Sequence, residues 1–226
     1  MDDHNAILAQ PTQPPGHATF FWTNFPTSAN APFHFALSGR FRGGMVGSKL
    51  VMLGEGRMKI WHGVPTGTNV PPAQHLSGPW GSDGVGLTVA GGRIYTMDEN
   101  SNAILGFTAL PTNTTGAATP LFAIGSPSPL TNTLLTHYFL QNPCPASSGT
   151  NLFVSSDFHR RLAVWRRLPD QSGAWPDVVY DGIPGFATCV FSNRLVVVGP
   201  GSVFLWDNLP LNGELPARRL SGRLGT

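Results

Sequence analysis

The residues with which this sequence could do chemistry are a scattered set of acids, amides and histidines: Asp83, Asp98, Glu99, Asn132, His137, Asp157 and His159. Oxygen and imidazole donors of this kind can hold a hard divalent cation such as calcium, which would polarise a substrate oxygen or acidify a bound water. Metal-assisted hydrolysis, or a lyase reaction, is the chemistry they would support. Their spacing builds no such centre locally. There is no His-Glu-x-x-His pair, no Cys–His zinc pattern and no glycine-rich phosphate loop. In Trp80-Gly81-Ser82-Asp83-Gly84 the glycine abuts the serine, which is the wrong spacing for a nucleophile elbow. No motif therefore calls for a cofactor, and a metal site would exist only if the fold converged Asp83, Asp98, His137, Asp157 and His159.

The elements that would have to position them follow from a repeated clause. Val203-Phe204-Leu205-Trp206-Asp207-Asn208-Leu209-Pro210 has counterparts at Phe20–Pro26, Lys59–Pro65, Leu105–Pro111 and Ala163–Pro169. In each copy an aromatic residue precedes an apolar one by three positions and a proline by four. The prolines fall at 26, 65, 111, 169 and 210, so successive steps are 39, 46, 58 and 41 residues. A period of roughly 40–50 residues made of short strands points to a β-propeller or other repeat array.

Each repeat divides into four apolar segments, a to d. In the last these are Gly185–Phe191, Arg194–Val198, Ser202–Trp206 and Ala217–Gly222. Lengths of four to seven, β-branched and aromatic enrichment, and Gly/Pro/Asn/Ser punctuation argue strand, and no stretch of ten has helical periodicity. The expected fold is all-β: one propeller domain over 1–226 with blades near 5–39, 41–78, 84–125, 135–182 and 185–222. The first blade lacks its inner strand, so the set reads as a five-bladed ring with an imperfect seam or, the preferred reading, as an incomplete part of a larger, six-bladed ring. An insertion over Asn142–Gly149 accounts for part of the longest step, and the glycine of Leu-Ser-Gly suits the turn from one blade to the next.

The acidic turn between strands b and c, followed by a polar or basic residue and an apolar strand, resembles NHL-type repeats. Asp157-Phe158-His159-Arg160-Arg161-Leu162-Ala163-Val164-Trp165 is the fullest copy, Asp98–Ile104 is a second without the arginine, and Glu55–Met58 is a third. The resemblance implies a six-bladed propeller relative in which acid and base tie the hairpin together. It also implies, through lactonase and amidating-lyase relatives, a site at the mouth of the central channel, where the b–c and d–a loops would meet. Propellers host many activities. The reading preferred here is a binding scaffold that presents loops to a protein or small ligand; the alternative is the metal-assisted enzyme.

Composition narrows the partners. The net charge is +2, too small to imply nucleic acid. Arg160 and Arg161 begin strand c while Arg166 and Arg167 end it, about 16–17 Å away at roughly 3.3 Å per residue, so they do not form one basic patch. No apolar run approaches the roughly 20 residues of a membrane helix, and the first ten residues have no basic start or apolar segment. Trp22, Trp61, Phe107, Trp165 and Trp206 occupy equivalent positions and are expected to pack between blades. Cys144, in a proline-rich loop, and Cys189, in an apolar run, are expected to be unpaired thiols, one of them buried.

Overall fold

The computed structural model describes residues 7–9, 18–22, 35–38, 41–67, 70–78, 80, 86–98, 103–124, 144–156 and 160–222, with backbone alone for residues up to 38 and for residue 98. Among them every regular element is a strand. β1 (Ile7–Ala9), β2 (Ala18–Trp22) and β3 (Phe35–Ser38) form a three-stranded antiparallel sheet. β4 (Arg42–Val46), β5 (Lys49–Gly54), β6 (Arg57–Trp61) and β7 (Gln74–Ser77) make a four-stranded antiparallel blade. The next blade is β8 (Leu87–Ala90), β9 (Arg93–Asp98), β10 (Ala103–Phe107) and, after an interposed strand β11 (Thr115–Ala117), β12 (Phe122–Ile124). Two further blades follow: β13 (Cys144–Ser147), β14 (Leu152–Ser156), β15 (Arg161–Trp165) and β16 (Val178–Asp181), then β17 (Ala187–Phe191), β18 (Arg194–Gly199), β19 (Ser202–Trp206) and β20 (Arg218–Ser221).

Contacts divide the chain into two compact units, Met1–Val85 with Pro111–Ala118, and Gly86–Leu110 with Thr119–Thr226. In the second unit the inner strands run side by side, β13 packing against both β8 and β17. Hydroxyls stitch them: Ser147 Oγ lies 3.0 Å from Thr88 Oγ1 and donates to the Val89 carbonyl at 3.1 Å. Ser155 Oγ donates to Gly185 O at 3.1 Å. Period-two alternation then sets the core. Phe153, Leu162, Val164 and Tyr180 of one blade meet Leu195, Val197, Phe204 and Trp206 of the next, and each such burial contributes about 1.5–3 kcal/mol. In the first unit Phe41, Leu50, Met52 and Trp61 form a separate cluster.

Three expectations are corrected. The stretch assigned to an insertion, Asn142–Gly149, contains the inner strand β13. Cys-Pro-Ala-Ser has little strand character, but β13 is the edge of its sheet, where a proline breaks no ladder bond. Cys144 is therefore in a strand rather than a loop. The expectation that one thiol is buried does not hold: Cys144 is half-buried and Cys189 exposed. Finally, Gly78 is needed for space rather than for a turn conformation, since a β-carbon there would sit 2.2 Å from the Trp80 ring.

Candidate interaction surface

Asp83, Glu99, Asn132, His137, Asp157 and His159 lie outside the described residues. Asp98 ends β9, where only its backbone is described. Among the described residues no three His, Cys, Asp or Glu side chains cluster as metal ligands would. The arginines divide as their spacing required. Arg161 pairs with Asp181 of the adjacent strand, Nε to Oδ1 at 2.6 Å. Arg166 Nε donates to the Leu211 carbonyl of the next blade at 2.7 Å.

The recurring clause has two jobs that its spelling did not disclose. Its tryptophan is buried, and its indole N–H pins the loop between strands c and d of the same blade. Trp61 Nε1 donates to Val70 O at 2.9 Å, Trp165 Nε1 to Ala174 O at 3.2 Å, and Trp206 Nε1 to Glu214 O at 2.8 Å. Its proline supplies a carbonyl to a polar side chain of the preceding blade. Pro111 O accepts from Gln74 Nε2, Pro169 O from Tyr95 Oη and Pro210 O from Tyr180 Oη, each at 2.9 Å. Burial raises the pKa of both phenols, which favours the neutral form that can donate.

With loops and latches accounted for, one broad surface lacks a counterpart among the described residues of its unit. In the blade β13–β16 the positions Phe153, Leu162, Val164 and Tyr180 are buried against the blade that follows. Strand register maps them onto Val196, Val203, Leu205 and Leu220 of the last blade, and Ser155 onto Val198. The matching side chains of β5–β7, Val51, Leu53, Met58, Ile60 and Leu76, are fully buried. In the last blade Val196, Val198, Val203 and Leu205 are half-buried, and Leu220 is 58% exposed and Phe191 70%. Cys189 lies on the same face, opposite Val196.

A shallow pocket of about 250 Å³ opens at one end of this face, lined by Val198, Val203, Leu220 and the Gly199–Gly201 turn. At the other end Arg194 and Arg218 share one carboxylate. Asp207 Oδ1 lies 3.8 Å from Arg194 Nε and 3.1 Å from Arg218 Nη2. Two guanidiniums against one carboxylate leave that rim positive. Sequence could not single out this face, because its Val/Leu alternation is the same pattern that is buried in the other blades.

No protein-family model matches the chain, and no curated protein matches it in sequence. Solved structures do. A functionally unknown protein from Desulfotomaculum acetoxidans superposes with a TM-score of 0.59 at 10% identity, covering 98% of this chain and 68% of that one. The WD40 β-propeller domain of Doa1 superposes with a TM-score of 0.52 at 9% identity, covering 97% and 66%. A chain of a humanized mutant of the Chaetomium thermophilum Polycomb Repressive Complex 2 gives 0.51 at 12% identity, covering 90% and 51%. The fold is that of a β-propeller. The chain spans about half the length of the Polycomb chain it matches. The likeness to WD40 structures bears on the fold alone and does not single out NHL-type repeats.

Proposed function

We propose that this chain is a β-propeller interaction scaffold, and that the uncovered face of β17–β20 docks an apolar protein surface edged by a carboxylate. The observation that carries this reading is the register equivalence. Val196, Val198, Val203, Leu205 and Leu220 stand where other blades bury their packing residues, yet remain accessible. An apolar centre with a charged margin is the anatomy of a protein interface, and a contiguous exposed patch of this kind marks an interaction site. Arg194 and Arg218, with only Asp207 between them, favour an acidic side chain on the partner's margin.

Cys189 gives the test its handle. A photo-crosslinker is attached to Cys189 in a Cys144→Ser background, and the proteins it captures are identified, then repeated with Val203→Glu added. The expected result is a discrete partner captured only with Val203 intact, which as a purified protein binds with a negative heat-capacity change, the mark of apolar burial. Identical captures with and without Val203→Glu would overturn the reading. So would a Cys189 thiol that fails to react in the isolated chain, because the face would then be covered from within.

A further inference from the structure

We propose that the outer edge of β7 is a strand-addition site for an extended protein segment, filled in cis by the chain's own β11 and open to a competing segment from a partner. β11 comes from the loop between β10 and β12, yet it pairs with β7 in parallel, Thr115 opposite His75, Gly116 opposite Leu76 and Ala117 opposite Ser77. It is held by main-chain groups. His75 N–H donates to Thr114 O and Ala118 N–H to Ser77 O, both at 2.9 Å, and Ser77 Oγ donates to Gly116 O at 3.0 Å.

The side chains of β11 itself contribute little to this grip. Thr115, Gly116 and Ala117 are all exposed, and of this segment only Ala118 is buried. Hydrogen bonds exchanged with water have a small net value each, and parallel pairs are slightly weaker than antiparallel ones. Such a strand is exchangeable, because any extended segment offers the same backbone.

A second observation indicates that β11 is an imperfect occupant. Gln74, on β7, is buried, and its Nε2 donates to both Pro111 O at 2.9 Å and Asn113 O at 2.8 Å. Those two carbonyls fix which way the amide points. Its Oε1 is then left buried without a donor, and buried acceptors in native structures are nearly always satisfied. A segment bringing a hydroxyl or amide N–H to that oxygen would make a bond that β11 does not. The occupant this edge fits is therefore an extended stretch of small residues carrying such a donor, bound by β-augmentation.

Gly116 provides the release. Its φ is +99°, which proline cannot adopt and a β-branched residue strongly resists. Gly116→Pro and Gly116→Val should both free the edge of β7 without altering β7 itself. The probe is a fluorescent peptide with the sequence of residues 111–118, titrated into each protein and followed by anisotropy, with a thermal melt to verify folding. We expect the variants to bind it at least about tenfold more tightly than the unmodified chain, whose tethered β11 competes at high effective concentration. Adding Gln74→Ala should abolish most of that gain. Folded variants that ignore the peptide, or equal binding by all proteins, would overturn the proposal. If neither variant folds, hydrogen exchange on the unmodified chain decides. A His75 amide that exchanges much faster than the β5–β6 ladder supports a releasable strand, and one equally protected overturns it.

Discussion

The blade β8–β10 with β12 and the blade β13–β16 are built from the same clause, yet their c–d loops behave differently. In the second, Trp165 donates its indole N–H to Ala174, and the loop meets β12 of the preceding blade at Ala123, which accepts from Gly173 N–H at 3.1 Å and donates to Ser172 Oγ at 3.2 Å. In the first, the clause carries Phe107, whose ring is buried like the tryptophans but has no N–H. That loop keeps a bond to its own blade, Leu121 N–H to Gly106 O at 2.8 Å, but its middle pairs with β7 and becomes β11. Aromatic volume fills the blade in both cases. The loop without an indole N–H builds a strand on the preceding blade, whereas the loop that has one bonds to the preceding blade without forming a strand there.

The comparison is broken most severely by removing the ring altogether. Trp165→Ala should destabilise the fold by about 3–5 kcal/mol, the usual cost of deleting a buried aromatic, seen as a large fall in the melting temperature. Trp165→Phe, which recreates the Phe107 situation, should cost less, about 1–2 kcal/mol for the orphaned Ala174 carbonyl and lost bond. It should also make the 166–177 loop newly sensitive to protease. An unaltered cleavage pattern would mean that the indole N–H does not hold the loop. The converse, Phe107→Trp, sharpens the point: an N–H offered to the 108–121 loop should compete with β7 and speed exchange of the His75 amide.

The smallest effect concerns the proline latches. Tyr95 and Tyr180 must be neutral to donate to Pro169 and Pro210. Burial lifts each phenol above its ordinary pKa of 10.0, so their folded-state values are raised. Their contribution is thus complete below pH 10 and disappears as pH rises through the folded values. A melting temperature followed from pH 9 to 11.5 should fall, and Tyr180→Phe should start lower but fall less steeply. Parallel curves would show that the latch carries no pH-dependent stability.

Much of this was legible in the sequence and some was not, for physical reasons. Strands rich in Val, Ile, Leu and aromatics, such as β18 and β19, declared themselves, as did the four-segment plan of the blades. β13 and β11 did not, because Cys-Pro-Ala-Ser and Thr-Gly-Ala are strands only by virtue of the neighbours they pair with. The burial of Trp61, Phe107, Trp165 and Trp206 followed from their equivalent positions, but their loop bonds depend on a donor meeting a carbonyl far along the chain. Of the acids and histidines read as candidate ligands, all but Asp98 lie outside the described residues, and their stretches of sequence carry no periodic signal to say which of them converge. The open face of β17–β20 was invisible for the opposite reason: its pattern is as regular as the buried ones.

The indole pins also impose a ruler on the chain. From tryptophan to acceptor the count is nine residues in two blades and eight in the third. Those spans admit almost no change of length, whereas Phe107 opens a blade with no such measure. Repeats copied by duplication would therefore drift in sequence yet keep their arithmetic wherever the tryptophan survives. The clause with phenylalanine in that position is the one whose loop carries the additional strand β11.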